Sequence, residues 1–192
     1  MLPANVLTGH TADDQAETVV LNLVRGAGRP GLAGIRRNQR RPLLGLRRVE
    51  TAALCAAEGL EPLQDPSNVD PRHRRTRVRG EVLPLLAEVA GRDVVPILAR
   101  AAELMGEESD LLDRLAAGLD PTDAGALRDA EPALARRAVR AWLWRAMGGD
   151  HPVDLAAVDR VLAVARHEAG SADVQQGWRV TRAEGRLHVD RA

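Results

Sequence analysis

The scarcity of aromatic side chains is the strongest constraint that this sequence places on its fold. Among 192 residues there are three Trp and neither Phe nor Tyr, yet 45% of the residues are hydrophobic. A chain of this length buries a sizeable core, and that core must be built from Leu, Val and Ala. We therefore expect a globular protein of one domain or one and a half, with little aromatic surface for stacking nucleobases. Trp142 and Trp144 cannot share a helical face, so we expect one in the core and the other partly exposed, and we favour this interpretation over the alternative of a base-stacking role.

The charged residues divide the chain into regions of opposite sign, although the formal net charge is zero. Residues 25–79 hold 13 Arg and 5 acidic residues, whereas residues 80–192 hold 14 Arg and 19 acidic residues. A local positive field of this kind steers anionic partners toward the protein. All 27 basic residues are Arg, so any reaction that needs a Lys of this chain is excluded.

A single cysteine and the lack of long apolar runs restrict the chemistry and the compartment. Cys55 lies alone in an Ala-rich stretch, which rules out an internal disulfide and a cysteine-based zinc site. No apolar run reaches the length of about 18 residues that a membrane span needs, and the first residues lack the pattern of an export signal. We expect a cytoplasmic protein with no membrane partner.

The first third of the chain alternates between predicted strands and helices. Residues 4–8, a short apolar segment, and residues 40–46 have the length of short strands. A helix from about residue 12 to residue 25 begins at a capping box formed by Thr11 and Asp14, a Gly-rich loop follows it, and residues 47–58 form another helix. Strand, helix, strand, helix is typical of a parallel α/β sheet. Because two strands do not form such a sheet on their own, we expect the trailing half of a parallel-sheet, Rossmann-like domain.

The rest of the chain is predicted to be helical and to end in a β-hairpin. From about residue 75 to residue 117 the pattern is helical, with a break or kink at Pro84. Two amphipathic helices follow between residues 121 and 167. Apolar and polar residues then alternate on both sides of Glu184–Gly185, which predicts the hairpin.

The stretch TGHTADDQAETVV, residues 8–20, concentrates ionisable side chains at the start of the first helix. Four of them are spaced i, i+3, i+4 and i+7 and so share one helical face: His10, Asp13, Asp14 and Glu17. Acidic residues near a helix N-terminus complement its dipole, which accounts for the carboxylates but not for His10. The same face lies beyond a predicted strand, where α/β proteins bind ligands, and its spacing permits Mg²⁺ ligation. The residues alone leave both interpretations open.

Four blocks of the sequence resemble those of the tRNA(Ile)-lysidine synthetase family in order and spacing. They read TGHTADDQAET, LVRGAGRPGLAGI, RPLL and DPSNVDPRHRRTRVRGEVLPLL. The resemblance covers residues 4 to about 90 strongly and the remainder more weakly. It implies a partial N-type ATP pyrophosphatase (PP-loop) catalytic domain over residues 1–85 and a helical tRNA-binding or linker domain over residues 86–192, with the hairpin at its end.

The family resemblance also implies an activity. Enzymes of this family use ATP to activate C2 of the wobble cytidine of one isoleucine tRNA, with release of pyrophosphate. The ε-amine of free lysine then displaces AMP from that carbon. The resemblance therefore implies a ligase with ATP and Mg²⁺ as cofactors and with tRNA(Ile) and L-lysine as partners.

The resemblance assigns roles residue by residue on the matching positions. The implied catalytic residues are His10, Asp14, Glu17 and Arg79, and the implied substrate-binding residues are Asp13 and Asn68. Carboxylates at Asp14 and Glu17 suit Mg²⁺ or the lysine ammonium group. The guanidinium of Arg79 suits the charge that develops on a phosphate, because its donors are arranged in a bidentate fork.

Two clusters of Arg flank the implied site. Charge runs are usually solvated surface in a protein of unknown function, but an RNA substrate favours phosphate contacts. The residues expected to bind tRNA are Arg36, Arg37, Arg40, Arg41, Arg72, Arg74, Arg75 and Arg77. The nearest acids to the second cluster are Asp70 and Glu81, so its five Arg are not all expected to find carboxylate partners. Helical spacing should turn Arg75 and Arg79 toward the site and Arg77 away from it.

The sequence departs from the family pattern in two places. His73 and Thr76 stand where the family usually has Tyr and Asn, so no role is carried to Thr76. The SGGxDS loop, whose backbone N–H groups hold the ATP phosphates, does not occur in the 192 residues. GAGRPG is no substitute, because it follows a helix whereas a phosphate loop follows a strand.

The departure at the phosphate loop leaves three hypotheses. The chain is a fragment or mis-started product of a working synthetase, the second half of a split enzyme whose partner carries the missing N-terminal half, or a non-catalytic remnant that binds tRNA. The first is favoured because the acidic helix is intact. A related tRNA thiolase is a further alternative, and the usual reliance of those enzymes on cysteines argues against it.

Overall fold

The computed structural model describes residues 6–63, 70, 72–149 and 152–191. The chain divides into two compact units, Met1–Ser109 and Asp110–Ala192, which we call unit 1 and unit 2. This division lies within a helix and later in the chain than the boundary expected after residue 85. Among the described residues, no helix is both long enough and apolar enough to cross a bilayer.

Short helices joined by turns make up the regular structure described for unit 1. The Gly-rich loop that the sequence predicts contains one of them, and the predicted second helix is confirmed and ends before Gly59, whose φ is +67°. The elements are α1 (Ala12–Val24), α2 (Arg29–Leu32), α3 (Arg48–Ala57), α4 (Arg74–Arg77), a π-helical turn (Val78–Val82), α5 (Leu83–Ala90) and α6 (Val95–Ala116), which continues into unit 2.

Helix α1 begins where its capping residues stand. The Asp14 carboxylate accepts hydrogen bonds from the backbone N–H and from the hydroxyl of Thr11, each at 2.8 Å, so the predicted capping box is confirmed. The apolar face of α1 packs into the core of unit 1. That core is a cluster of buried residues: Ala12, Ala16, Val20, Val78, Leu83, Val94 and Val95. The acidic helix is thus held by packing on one face and by its cap at the start.

The described part of unit 1 contains no β-strand, so the predicted parallel sheet is not confirmed. Residues 6–8 have no regular structure, and residues 4 and 5 lie outside the described residues. Residues 41–46 form turns, in which backbone N–H groups bond to carbonyls three residues earlier. Those local bonds use groups that a strand would offer to its neighbour, and Pro42 has no N–H to offer. Turn formation therefore replaces the predicted strand.

Pro84 does not break the helix, so the expected break is wrong, and the alternative of a kink stays a prediction. The chain stays helical from α4 through the π-helical turn into α5. Pro84 lies in the first turn of α5, where its missing N–H is tolerated. Immediately before it, the N–H of Leu83 bonds to the carbonyl of Val78, five residues earlier. The wider turn keeps the helix continuous, and such turns are frequent at functional sites.

Unit 2 combines helices with a small antiparallel sheet. The sheet order is β1-β2-β3, and the predicted hairpin is confirmed as β2 and β3, with Ala183 opposite Arg186. Glu184 and Gly185 between them have φ of +49° and +77°, as a two-residue hairpin turn requires. Strand β1 is an addition that the sequence pattern did not predict. The elements are α7 (Ala124–Asp129), α8 (Pro132–Ala146), α9 (Leu155–Ala165), β1 (Ser171–Val174), β2 (Trp178–Ala183) and β3 (Arg186–Arg191).

The core of unit 2 is built from Leu, Val and Ala, as the composition predicts. Leu143 of α8, Leu162 of α9 and Leu187 of β3 are each at most 2% exposed and belong to one cluster of 18 buried residues. Trp142 and Trp178 pack against this cluster, whereas Trp144 is 48% exposed. The expected division of the two neighbouring Trp between core and surface is therefore confirmed.

Candidate active site

Glu17 is the centre of the candidate site and is completely buried. Its Oε2 accepts a hydrogen bond from Nε of Arg75 at 2.6 Å, and its Oε1 accepts one from Nε of Arg79 at 2.7 Å. Nη2 of Arg48 lies 3.3 Å from the same Oε1. A buried carboxylate is costly unless it is paired and hydrogen-bonded, and here three guanidinium groups satisfy it.

Asp14 joins the same network one turn earlier on α1. Its Oδ1 lies 3.1 Å from Nη2 of Arg75 and 3.2 Å from Nη2 of Arg48. Burial alone would raise the pKa of Asp14, but the hydrogen bonds from Thr11 and the two guanidinium charges outweigh it and lower the pKa below the usual 3.8. Asp14 is therefore an anion at neutral pH.

Asp13 connects α1 to the start of α3. Its Oδ2 accepts a hydrogen bond from the backbone N–H of Arg48, the first residue of α3, at 2.7 Å. Both of its oxygens also accept hydrogen bonds from the Arg47 side chain, at 3.1 Å each, and Arg47 contacts Asp93 as well. Burial would raise the pKa of Asp13, but these contacts lower it. Asp13, which lies on α1, therefore also caps the N-terminus of α3.

The second Arg cluster is placed by the helical turn on which it lies. Arg75 on α4 and Arg79 in the π-helical turn reach the same Glu17 carboxylate, as their spacing predicts. Arg77 points away and pairs with Glu81 at 2.8 Å. Arg72 pairs with Asp70 at 2.7 Å. Arg74 is exposed and has no carboxylate partner among the described residues. Four of the five Arg therefore have carboxylate partners. For two of the four, Arg75 and Arg79, the partner lies on α1.

The first Arg cluster lies on exposed turns of unit 1. Arg37 pairs with Glu103 at 3.8 Å, and Nη1 of Arg41 donates to the carbonyl of Arg36 at 2.6 Å. The carbonyl of Arg40 accepts the backbone N–H of Thr8 at 2.8 Å. The predicted role of the first Arg cluster in tRNA binding stays a prediction.

Two pockets of unit 1 are lined by different faces of α1. A pocket of about 230 Å³ is lined by Asp13 and Glu17 together with Arg48 and Arg79. A larger one of about 520 Å³ is lined by Ala12 and Gln15 of α1 and by apolar and charged residues of α6 and of the turns before α3. The side-chain amide of Gln15 closes part of this wall, because it bonds to the backbone of Ala33 at 3.1 Å. The acidic face of α1 therefore opens onto the smaller pocket.

The remaining predicted site residues are placed less centrally. His10 is half-buried, and its Nδ1 lies 3.0 Å from Oγ1 of Thr8. It lies before α1, so it is not held on the helical face that its spacing predicted. Asn68 lies outside the described residues.

Arg47 and Arg48 are the site residues that sequence reasoning missed. Both lie in LRRVE, directly before and at the start of α3, and both contact the acidic face of α1. Adjacent arginines at a helix start oppose the helix dipole, which is a signal that carboxylates from elsewhere approach them. Glu50 supplies part of that compensation, since its Oε2 accepts the backbone N–H of Arg47 at 2.6 Å.

The carboxylates of the site do not fit a magnesium ion as they are arranged. Both oxygens of Glu17 and both oxygens of Asp14 accept hydrogen bonds from guanidinium groups or from Thr11, so none is free to bind the ion directly. In the part of the chain that the structure describes, no group of three or more His, Cys, Asp or Glu side chains is arranged to hold a metal ion.

Comparison with known families finds a similarity over the segment that carries this site. Residues 3–86 match the family described as the PP-loop domain. The match contains all of α1, α3 and α4 and the π-helical turn, and so every Arg that contacts Glu17 or Asp14. Over this segment the chain is similar to the PP-loop domain family.

The chain is also similar to curated proteins named tRNA(Ile)-lysidine synthase. It is 40% identical to one from Cutibacterium acnes over 97% of this chain and 60% of that protein. It is 46% identical to one from Nocardia farcinica over 87% of this chain and 56% of that protein, and 49% identical to one from Mycolicibacterium paratuberculosis over 72% and 46%. The resemblance read from the four sequence blocks is confirmed, and the chain spans about half the length of these relatives.

Proposed function

We propose that this chain contributes to a tRNA(Ile)-lysidine synthase. In the proposed reaction, ATP adenylates the wobble cytidine of tRNA(Ile) at C2 and pyrophosphate leaves. The ε-amine of lysine then forms a bond to C2, AMP leaves with the C2 oxygen, and the amine gives up a proton. The proposal includes ATP, L-lysine and tRNA(Ile) as the ligands of the complete enzyme.

The convergence of distant sequence blocks on Glu17 is the observation that carries this proposal. Glu17 belongs to the first block of the family pattern, and Arg75 and Arg79 belong to the last, some sixty residues later; they meet at 2.6 and 2.7 Å. Arg48 reaches the same carboxylate just after the RPLL block. Sequence blocks without a shared role would not be expected to converge on one buried carboxylate.

The electrostatics of the network support a division of roles. The side chains of Arg48, Arg75 and Arg79 are 38%, 40% and 34% exposed, so each retains solvent-facing surface although one edge is bound to Glu17. We assign to Arg79 a catalytic role on the phosphate that leaves or is transferred, because a fixed guanidinium stabilises developing charge without reorganising.

The acidic residues of α1 are assigned to the other substrate. Asp13 and Asp14 are anionic at neutral pH, because contacts lower the pKa of both. We assign them to the ammonium group of lysine, which would have to replace one of their Arg partners. His10 and Asn68 are assigned to the substrates by position in the family pattern. Glu17, which is buried among three guanidinium groups, is a positioning residue in this proposal: it fixes the direction of Arg79.

A hybrid enzyme tests the proposal. This chain replaces the matching segment of the Cutibacterium acnes relative, and lysine incorporation into a tRNA(Ile) transcript with a CAU anticodon is measured. We expect incorporation by the hybrid, a loss of about 100-fold or more in rate for Arg79→Ala, and little change in its tRNA affinity. Arg92→Ala, which removes an exposed Arg of unit 1 outside the site, is the matched control. A folded hybrid that binds the transcript but never incorporates lysine would overturn the proposal and favour a non-catalytic tRNA-binding role.

A further inference from the structure

Trp144 differs from the other two Trp of the chain. Trp142 and Trp178 pack against the hydrophobic core of unit 2, whereas Trp144 on α8 is 48% exposed. The ring of a half-exposed indole is available for contact with a ligand. In a chain without Phe or Tyr, this ring is the largest exposed aromatic surface that is available.

The indole of Trp144 is supported from behind by the chain that follows α8. A Cβ atom placed on Gly149 would lie only 3.2 Å from Cζ2 of Trp144, and Gly149 has a φ of +77°. A glycine at this position therefore allows the backbone to lie close against the six-membered ring. This contact restricts the movement of the ring without covering its exposed surface.

Trp144 lines a pocket of about 370 Å³ in unit 2. Most of the wall is apolar and flat or small: Ala116, Ala117, Leu119, Pro121, Ala138 and Ala141. Its size lies within the range of pockets that bind small organic groups, about 300–1,000 Å³. The pocket therefore offers a supported aromatic ring beside an apolar slot.

The charged residues of the pocket leave it with a positive charge. Asp113 and Arg137, which both line it, are in contact with each other and so compensate one another. Arg145 also lines it, is exposed, and has no carboxylate partner within the described residues; its Nε donates to the carbonyl of Ala141 at 3.1 Å. The charge of Arg145, which no carboxylate of the described residues compensates, therefore belongs to the residue that follows Trp144.

We propose that this pocket binds an unstacked nucleobase of RNA, with the base on the Trp144 ring and the adjoining phosphate on Arg145. An aromatic ring beside an unpaired Arg is the combination by which proteins hold single-stranded nucleotides, since every base has a π-face and every nucleotide a negative charge. An apolar peptide would use the slot but would leave Arg145 without a partner. The site rests on the proposed function only in that the RNA is tRNA.

Substitutions in the full chain test the pocket by equilibrium binding of the tRNA(Ile) transcript. We expect Trp144→Leu to weaken binding by about 5- to 100-fold, Trp144→Phe to lose much less, and Arg145→Ala to weaken binding and reduce its salt dependence. Leu155→Ala and Arg166→Ala remove an exposed apolar side chain and an exposed Arg of unit 2 that do not line the pocket, and they should bind as the parent does.

A second measurement separates this proposal from the proposed function. Single-stranded RNA oligonucleotides should quench the tryptophan fluorescence of the parent chain and not that of Trp144→Leu. Quenching of this kind without binding of the tRNA transcript would support the pocket and count against the synthase. Equal tRNA affinity and equal quenching in Trp144→Leu and the parent would overturn the pocket and leave the synthase intact. A Trp144→Leu variant whose only change is in oligomeric state would identify a protein contact and also overturn the pocket.

Discussion

Different kinds of interaction stabilise the interiors of the two units. The core of unit 1 is a cluster of seven small buried residues beside a network of carboxylates and guanidinium groups, whereas unit 2 has one cluster of 18 buried aliphatic residues. In unit 1, large apolar side chains such as Val24, Val49 and Leu63 are 71% to 95% exposed. The charges in unit 2 lie mainly on its surface, as in the pair of Arg136 and Asp159.

This contrast shows how a site and a scaffold divide their tasks. Ion pairs inside a protein contribute less net stability than an apolar core of equal volume, because both charges lose water. They do fix directions, and a site that handles phosphates needs guanidinium groups with fixed directions. Unit 1 therefore accepts a weaker core around Glu17, while the packed helices and sheet of unit 2 need no charge for their stability.

The largest expected effect comes from a substitution that disrupts only the charge network of unit 1. Glu17→Gln leaves three guanidinium groups around a neutral amide, which should cost about 3–5 kcal/mol of the free energy of unfolding of unit 1. All three Trp lie in unit 2, so tryptophan fluorescence in urea reports on unit 2 and hydrogen exchange of α1 peptides reports on unit 1. Hydrogen exchange should accelerate in α1, while the urea midpoint of the tryptophan fluorescence should not change.

A control for this substitution lies on the surface of the same unit. Glu81→Gln removes the exposed partner of Arg77 and should change neither signal, because exposed ion pairs contribute little. Unchanged hydrogen exchange in Glu17→Gln would mean that the network is not what holds unit 1.

The reciprocal experiment targets the apolar core of unit 2. Leu143→Ala empties space at a residue that is 0% exposed and should cost about 2–5 kcal/mol. The fluorescence midpoint in urea should fall, and Leu155→Ala, at a residue 58% exposed, should leave it almost unchanged. Equal effects of the two substitutions would show that the core of unit 2 is not closely packed.

Acid should separate the two units by their carboxylates. The pKa values of Asp13 and Asp14 are lowered in the folded state, so the folded state binds these protons more weakly than the unfolded state. The stability they contribute is complete above the unfolded value of about 3.8 and is lost as pH falls through the lower folded values. Hydrogen exchange between pH 6 and pH 3 should show α1 opening at a higher pH than α8, whose N-cap makes no side-chain hydrogen bond, and Asp14→Asn should reduce that difference.

Within unit 1, the Arg residues themselves divide into engaged and free groups. Arg74 has no carboxylate partner among the described residues, whereas Arg77 is bound by Glu81. Arg74→Ala should therefore weaken tRNA binding and reduce the slope of log affinity against log salt by about 0.7–0.9, and Arg77→Ala should have less effect on both. If Arg77→Ala has the larger effect, tRNA competes successfully with Glu81. If neither has an effect, this cluster is solvated surface.

The smallest expected effect concerns the hairpin turn of unit 2. Glu184 has a φ of +49°, a left-handed conformation that Asn adopts more readily than Glu. Glu184→Asn should therefore raise the free energy of unfolding of unit 2 by up to about 1 kcal/mol, seen as a higher fluorescence midpoint in urea. A lower midpoint would mean that the Glu184 side chain makes a contact that outweighs the backbone strain.

The sequence by itself determined the features that depend on neighbours along the chain. The capping box of Thr11 and Asp14, the end of α3 before Gly59 and the turn at Glu184–Gly185 all follow from residues within one or two turns of each other. The division of Trp142 and Trp144 between core and surface follows in the same way, from a helical period that needs no knowledge of the partner. The four sequence blocks likewise indicated the family similarity that the comparisons report, because their residue types and their spacing are properties of the linear chain.

Only the tertiary structure decided which charges meet. Asp70 and Glu81 were the nearest acids in sequence to the second Arg cluster, yet Arg75 and Arg79 take their partner from Glu17, about sixty residues away. Arg47 and Arg48 likewise contact the acidic helix across the turns that replace the predicted strand at residues 41–46. An apolar stretch with Pro42 and Gly45 suits a strand or a turn equally, and the choice depends on whether a neighbouring strand is there to accept its hydrogen bonds. Coulomb attraction and strand pairing act through space, and distance along the chain does not encode distance in space.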